Sequence, residues 1–201
     1  MDSDPSLLQP LDVWECRRQF AALSKRENGL PVTFFDAAAG TQVPPAVLDA
    51  VVRYLVETNA NHGGMFATSR ESDALLFSAR AALADFLGTA DPDTIFFGAN
   101  MTTLTFAFSR AISRTWKPGD EILLTRLEHD ANFTPWVRAA EEAGARIRIA
   151  DIRPEDGTLD LDDFARKLSP QTRLVAVTAA SNAIGTLTPI AEITRQAHAA
   201  G

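Results

Sequence analysis

A short polar segment with residues suited to catalysis follows directly after an apolar run. The segment "TRLEHDANFTPW", Thr125–Trp136, contains Glu128, His129 and Asp130 in consecutive positions. A histidine ring is flat and exchanges protons near neutral pH, so it suits both stacking on a ligand and acid–base catalysis. The pattern indicates either an active-site loop at the end of a buried strand or a solvated turn that contains a histidine.

Two other segments, "FFGANMTT" and "TAASNAIGT", also place small and hydrogen-bonding residues after apolar runs. In the first, Gly98 and Ala99 allow backbone N–H groups to approach an anion such as phosphate, and the helix that follows adds its positive dipole end. A plain turn into a helix is the alternative. In the second, Asn182 is either a ligand-binding residue or a turn residue together with Gly185.

The sequence lacks the motifs of several common ligand sites. No G-x-G-x-x-G follows a predicted strand and no G-x-x-x-x-G-K-[ST] occurs, so a dinucleotide or nucleoside triphosphate bound in the usual way is not expected. No second histidine lies at ligand spacing from His129. The run Glu128-His129-Asp130 is therefore not a metal motif, and no metal site is expected.

These polar segments depend on the strands that precede them. Four apolar runs alternate with helical patterns; the runs are 94–98, 121–125, 146–150 and 173–178. This alternation predicts an α/β fold with a mostly parallel sheet and helices on both of its faces. Open α/β sheets bind ligands at the carboxyl ends of their strands. The polar segments expected to meet there are 98–103, 128–132 and 179–185.

Before the first of these runs, the chain has mainly helix signals. A cap at Asp12 begins an apolar helical pattern that continues to Leu23, and Pro45 can begin a second helix. A third helix is predicted over 70–87, with Gly88 as its stop, and "VTFF" at 32–35 indicates a short strand. We expect residues 1–33 to form an arm and a helix, and residues 34–201 to be the first part of a larger domain.

The composition limits the classes of partner and the location. The formal net charge is −7, which disfavours binding to nucleic acid or to anionic membranes. No apolar run approaches the roughly 20 residues of a membrane span. Cys16 is the single cysteine, so an internal disulfide and a cysteine-rich metal site are both excluded, and a cytoplasmic location is expected.

Six motifs occur along the chain in order: "FFDAAAG", "NHGGMFATS", "FFGANMTT", "GDEILLTRLEHDANFTPW", "DGTLDLDDF" and "SNAIGT". In this order and spacing they resemble the amino-terminal half of class V aminotransferase-fold enzymes, among them the cysteine desulfurases. The resemblance runs from about Phe34 to Gly201. It implies a transferase of fold type I that uses pyridoxal 5′-phosphate (PLP), acts on an amino acid and forms a homodimer as a complete protein.

The resemblance also implies roles for individual residues. Ala99 and Asn100 match the positions that bind the cofactor phosphate. His129 matches the histidine that stacks on the pyridine ring and assists proton transfers, so it is the expected catalytic residue. Asn182 matches the asparagine beside the O3′ atom of the ring. Ala99, Asn100, His129 and Asn182 are therefore the expected cofactor-binding residues.

The chain departs from the desulfurase pattern at several positions. The segment "GANM" at 98–101 replaces the usual Gly-Thr-Thr-Glu, and Asp130 follows His129 where a second histidine is usual. Phe66 stands where a loop histidine is common. Amino acids other than cysteine, and lyase, epimerase or aminotransferase reactions, therefore stay open. A non-catalytic binding or interaction subunit with the same fold is the alternative function.

The lysine that binds PLP covalently in such enzymes is not expected in this chain. The three lysines are Lys25, Lys117 and Lys167. Lys25 ends the first predicted helix, while Lys117 and Lys167 precede strands, at the amino ends opposite the proposed site. Cys16 lies in a helix and does not match the nucleophilic cysteine of the desulfurases. We therefore expect the chain to be a fragment that binds PLP weakly and has no activity alone.

Overall fold

The computed structural model of the protein describes residues 10–201, which divide into two compact units. The first unit extends to Phe96, and the second comprises Phe97–Gly201. The domain boundary predicted between residues 33 and 34 stays a prediction. The amino-terminal part of the predicted arm lies outside the described residues.

The first unit is mainly helical. Its elements are α1 (Val13–Arg18), β1 (Arg26–Glu27), β2 (Leu30–Pro31), α2 (Pro45–Arg53) and α3 (Ala67–Leu87). The carboxylate of Asp12 caps α1, as predicted, by accepting hydrogen bonds from two backbone N–H groups of the first turn. Helix α1 ends earlier than its apolar pattern predicted because Phe20 has an extended backbone, and a 3₁₀ turn follows at Ala21–Ser24.

A hairpin forms close to the strand predicted at 32–35. Strands β1 and β2 pair antiparallel, and Asn28 (φ 49°) and Gly29 (φ 79°) form the turn between them. An Asn-Gly turn has the twist that antiparallel strands require, which explains the position of the hairpin. The predicted strand is wrong because the ladder ends at Pro31 and no other strand of the described residues pairs with that segment.

Helices α2 and α3 form at the predicted places. Pro45 lies in the first turn of α2, which continues into a π-helical turn at Tyr54–Thr58. Gly88 (φ 74°) ends α3 in a left-handed conformation, as predicted. In the described part of this unit the buried hydrophobic residues are Ala84 and Ile95. The unit therefore leaves most of its large apolar side chains exposed.

The second unit contains a three-stranded parallel sheet. Its strands are β3 (Glu121–Thr125), β4 (Arg146–Ala150) and β5 (Thr172–Val175), in the order β4-β3-β5. The register aligns Ile122 with Ile147 on one side and with Leu174 on the other. All residues of β3 are buried, as is typical of the central strand of a sheet covered on both faces.

Helices cover both faces of this sheet. They are α4 (Met101–Ile112), α5 (Thr134–Ala143), α6 (Leu161–Lys167) and α7 (Ile190–Ala199). On one face, Ile122 of β3 belongs to a cluster with Trp136 of α5. On the other, Leu123 belongs to a cluster with Phe164 of α6 and Ile193 of α7. The predicted α/β fold with a parallel sheet and helices on both faces is confirmed.

The first of the four predicted strands does not form. Pro92–Thr94 is a 3₁₀ turn, and the segment 95–98 pairs with no strand among the described residues. Ile95 has an extended backbone (φ −91°, ψ 120°), but a strand also needs a neighbour that accepts and donates backbone hydrogen bonds. Phe96 and Phe97 are accordingly exposed. The prediction of four neighbouring strands is corrected to three.

Candidate functional site

Glu128 connects the segments that follow β3 and β5. Its Oε1 atom accepts hydrogen bonds from the hydroxyl of Thr125 (2.7 Å) and from the backbone N–H of Thr178 (2.9 Å). Its Oε2 atom accepts one from the side-chain amide of Asn132 (2.6 Å). One carboxylate therefore joins two loops at the carboxyl ends of neighbouring parallel strands.

Asn132 extends this chain of hydrogen bonds to helix α5. Its side-chain carbonyl accepts a hydrogen bond from the indole N–H of Trp136 (3.0 Å). Trp136 is buried and meets Phe108 of α4 edge-on, with the two ring centroids 6.0 Å apart. Glu128, Asn132 and Trp136 are spaced four residues apart in sequence, and the turn at Asp130–Asn132 followed by α5 aligns them.

His129 lies at the amino end of the same turn. Its Nδ1 atom accepts a hydrogen bond from the backbone N–H of Ala131 (3.0 Å), and its carbonyl oxygen accepts one from the N–H of Asn132 (2.8 Å). Because Nδ1 is an acceptor, the proton of the neutral ring lies on Nε2. The residue is exposed, and the hydrogen bond from Ala131 orients its ring.

Asn100 caps helix α4. Its Oδ1 atom accepts hydrogen bonds from the backbone N–H and the hydroxyl of Thr103, at 2.9 and 3.0 Å. The backbone N–H groups of Met101 and Thr102 have no acceptor among the described residues. These donors, together with the dipole of a 12-residue helix, suit an anion such as phosphate. The preceding residue, Ala99, is exposed and has only a methyl side chain, so it leaves room for such a ligand.

Asn182 lies in a turn that Ser181 stabilises. The hydroxyl of Ser181 accepts hydrogen bonds from the N–H groups of Ala183 and Ile184, both at 3.3 Å. Its carbonyl oxygen accepts one from the N–H of Gly185 (2.9 Å). Asn182 itself is exposed in this turn. Its exposure is compatible with both predicted roles, a turn residue and a ligand-binding residue.

Two glycines allow close packing beside these segments. A Cβ atom on Gly98 would lie 2.6 Å from Cδ2 of Leu104, so a side chain of α4 packs directly over the glycine. A Cβ atom on Gly157, in the connection after β4, would lie 2.7 Å from Cδ1 of Ile184. The connection after β4 therefore packs against the turn that contains Asn182.

The loops at the ends of β3 and β5 contact each other through residues that were not among the predicted site residues. The bond between Glu128 and Thr178 joins the loop after β3 to the segment that leads to Asn182. Helix α4 packs against the turn at Asp130–Asn132. Asn100 and His129 make their hydrogen bonds within their own turns, and the joint role of the four predicted cofactor-binding residues stays a prediction. The regular spacing of Glu128, Asn132 and Trp136 was the signal that could have identified this network.

A polar cavity of about 310 Å³ lies beside Glu128, where β3 adjoins β4. Its lining residues are Thr125, Arg126, Glu128, Asp130, Phe133 and Ile149. Arg126 is paired with Asp151, so the cavity presents carboxylates and a neutralised guanidinium. Its volume is at the lower end of the range for small-molecule sites.

Lys167 lies differently from the prediction. Its ammonium donates hydrogen bonds to the carbonyl of Ile149 (2.6 Å), near the carboxyl end of β4, and to Asp163 (2.6 Å). It also lies 3.7 Å from a carboxylate oxygen of Asp151. The predicted position at the amino ends of the strands is wrong for this side chain because helical side chains point back toward the helix amino terminus. These contacts give Lys167 a structural role between α6 and β4.

Two kinds of feature are absent from the described part of the chain. No cluster of three or more His, Cys, Asp or Glu side chains there could hold a metal ion. None of its helices is long and apolar enough to cross a membrane.

A parallel α/β unit with polar loops at the carboxyl ends of its strands defines the general class, an open α/β domain, and such domains bind ligands at that edge of the sheet. The particular family follows from sequence comparison. The chain belongs to the class-V aminotransferase family, whose model matches residues 33–201.

Its relatives include cysteine desulfurases. The chain is 37% identical over 194 residues to a cysteine desulfurase from Dickeya dadantii, a match that covers 96% of this chain and 46% of that protein. It is 36% identical to a cysteine desulfurase from Synechococcus elongatus, covering 94% of this chain and 30% of that protein. The chain thus spans less than half the length of these two relatives.

Solved structures agree with the family. The apo cysteine desulfurase from Thermococcus onnurineus has a TM-score of 0.78 at 29% identity, covering 85% of this chain and 42% of that one. A cysteine desulfurase from Escherichia coli has a TM-score of 0.76 at 26% identity, covering 96% and 47%. A C-DES mutant with glycine covalently linked to its PLP cofactor has a TM-score of 0.68 at 26% identity, covering 90% and 45%. The fold is therefore that of part of a fold type I PLP enzyme.

Proposed function

We propose that this chain forms the amino-terminal part of a PLP-dependent enzyme that acts on an amino acid. The observation that carries the proposal is the exposed imidazole of His129, oriented at the end of β3 by the N–H of Ala131. Membership of the class-V aminotransferase family and the cysteine desulfurases among the relatives support it.

The residues at the strand ends fit the cofactor chemically. The free N–H groups of Met101 and Thr102 suit a phosphate, and the Nδ2 of Asn100 is available as a donor because its cap uses only Oδ1. The amide of Asn182 suits a phenolic oxygen, and the flat ring of His129 suits a pyridine ring. When bound, PLP supplies an electron sink for bond cleavage at the amino acid.

His129 would orient the bound ring and present one defined group to a substrate. The bond from Ala131 occupies Nδ1, so Nε2–H is the group left to donate a hydrogen bond. The backbone of the turn, rather than a second acidic side chain, sets the tautomer.

The finer proposals concern the substrate, the lysine and the assembly. Cysteine is the first substrate to test because the relatives are cysteine desulfurases, and other amino acids are the alternatives because of the "GANM" segment. We place the covalent lysine outside this chain. Asp163 binds the ammonium of Lys167, and Lys25 and Lys117 are exposed. A homodimer is supported by the exposed Met65 and Phe66, and a cytoplasmic location by the single cysteine.

Substitution of the two histidines tests the proposal in the full-length protein. His129→Ala should reduce turnover of the amino-acid substrate about 100-fold or more, because both stacking and proton transfer are lost. His62→Ala is the control, since His62 is exposed in a loop of the other unit. Activity and the visible absorption of bound PLP are the measurements. Small and equal effects of the two substitutions would contradict the role of His129. If the wild-type protein binds PLP but turns over no amino acid, the non-catalytic alternative is favoured.

Borohydride reduction tests the proposed position of the lysine. Residues 1–201 are purified, mixed with PLP, reduced, digested and examined by mass spectrometry. We expect no stoichiometric pyridoxyl-lysine and no turnover, because Asp163 binds the ammonium of Lys167, Lys117 precedes β3, and Lys25 belongs to the other unit. A single stoichiometric adduct on Lys25, Lys117 or Lys167, together with activity on an amino acid, would overturn this proposal.

A further inference from the structure

In the hydrogen bonds around Glu128, the partner on each side can only be the donor. The indole N–H of Trp136 can only donate, so the oxygen of the Asn132 amide faces Trp136 and its NH₂ group faces Glu128. At the other end, the backbone N–H of Thr178 can only donate. Each oxygen of the Glu128 carboxylate therefore faces a group that must be a donor.

A carboxylate accepts hydrogen bonds from both of these donors, whereas an amide in its place can accept from only one of them. An amide at position 128 would direct its NH₂ group at either Asn132 or Thr178, and a partly buried donor that faces a donor loses its hydrogen bond. The hydroxyl of Thr125 adds a third hydrogen bond to the same carboxylate. The geometry of its neighbours thus requires two acceptor oxygens at position 128.

We propose that Glu128 is a positioning residue whose carboxylate fixes the His129 loop relative to the segment that leads to Asn182. His129 follows Glu128 directly, and its ring and carbonyl are bound within the turn that Asn132 closes. Thr178 lies on the other loop, four residues before Asn182. The inference rests on the proposed function, because the position of these loops matters to chemistry only if they hold a ligand.

A double-mutant cycle in the full-length protein tests the direction of the network. Glu128→Gln keeps the size of the side chain and should lower the Tm by about 5 °C, because one donor loses its acceptor. Trp136→Phe removes the indole donor, which frees the Asn132 amide to rotate and accept a hydrogen bond from the new amide. The double variant should therefore be as stable as W136F alone. Strictly additive losses would overturn the inference.

Asp130→Asn is the matched control for charge. Asp130 is the next acid along the chain, but among the described residues its side chain bonds to the hydroxyl of Thr134, at the start of α5. This substitution should therefore show no rescue by W136F. In apo protein with ¹⁵N-labelled histidine and tryptophan, E128Q should shift the ring nitrogens of His129 and the indole N–H of Trp136, while D130N should leave both in place.

A PLP titration separates failure of this inference from failure of the proposed function. E128Q should weaken PLP binding about tenfold, and E128Q/W136F should recover most of that loss. If the wild-type protein binds PLP and E128Q matches it in both affinity and His129 ring shifts, the positioning role is wrong and the proposed function stands. The wild-type protein could fail to bind PLP while the stabilities of E128Q, W136F and the double variant and the His129 ring shifts match the expected results. In that case the proposed function fails, and Glu128 still positions the two loops.

Discussion

Single carboxylates join the elements of the second unit. Asp163 of α6 accepts hydrogen bonds from the backbone N–H of Asp151, after β4, and from the ammonium of Lys167. Lys167, with the N–H of Asp151, holds the pKa of Asp163 below its usual value. Before β3, the backbone N–H of Lys117 lowers the pKa of Asp120 in the same way. Each acid thus contributes stability in its ionised form.

Asp163→Asn should lower the free energy of unfolding by about 1–2 kcal/mol near neutral pH, because hydrogen bonds to a charged acceptor are lost. The pKa of Asp163 is lower in the folded than in the unfolded state, so its contribution is complete above the unfolded value of 3.8. It disappears as the pH falls through the lower, folded pKa. Urea unfolding should therefore show that the difference between wild type and variant is constant near neutral pH and shrinks below about pH 4.

Asp162→Asn is the control for this prediction. Asp162 is the exposed neighbour of Asp163 in the first turn of α6. Its loss should change the stability by less than about 0.5 kcal/mol. A difference between wild type and D163N that stayed constant down to pH 3 would contradict the role assigned to the ionised carboxylate.

At the scale of elements, the connection after β4 packs closely against the turn that contains Asn182. The connection after β4 contains Gly157 (φ 69°) and lies against Ile184 in the turn of Asn182. Short bridges close both segments, between Ile152 and Leu159 and between Ala180 and Leu187. The turn that contains Asn182 is therefore supported by a neighbouring connection as well as by its own hydrogen bonds.

Gly157→Ala should disturb the turn of Asn182, because its Cβ would lie 2.7 Å from Cδ1 of Ile184. Gly88→Ala is the matched control, since Gly88 has a similar φ of 74° and no neighbour within 4 Å of the added atom. Both substitutions should cost about 1 kcal/mol for the left-handed backbone. Only Gly157→Ala should also shift the amide resonances of residues 181–185, and equal spectra for the two variants would contradict the packing argument.

At the scale of the molecule, the first unit exposes a large apolar surface. One part of it lies on α2 and the π-helical turn, where six side chains are between 46% and 77% exposed; they are Val47, Leu48, Val51, Val52, Leu55 and Val56. Contiguous exposed apolar surface promotes association and binding of hydrophobic dyes. The polypeptide of residues 1–201 should therefore self-associate when purified alone.

Paired lysine substitutions test this expectation on the isolated polypeptide. Wild type should bind the dye ANS and elute earlier from a sizing column as its concentration rises. Val51→Lys together with Val52→Lys should reduce both effects. Asp49→Lys on the same helix makes the same change in net charge without removing apolar surface, and should leave both effects in place. A wild-type polypeptide that is monomeric and does not bind ANS would contradict the expectation.

Most elements were predictable because their signals are local. The strands β3, β4 and β5 and helices α2 and α3 lie close to their predicted positions, and Asp12 and Gly88 cap helices as expected. Each of these signals lies within a few residues of the element that it defines. The motif order was likewise sufficient to indicate the class V aminotransferase family, which the family match confirms. The roles of Ala99, Asn100, His129 and Asn182 as cofactor-binding residues stay predictions.

The sequence by itself determined the helices, the three strands and the family, while the tertiary structure decided which distant groups meet. The segment 94–98 has the residues of a strand but lacks a paired neighbour in the described chain, so its apolar pattern alone was misleading. Lys167 turned out to reach Ile149, and Glu128 to bind Thr178, 50 positions away. A hydrogen bond depends on positions in space, and sequence periodicity reports only the local backbone, so these contacts become visible only when the strands are placed side by side.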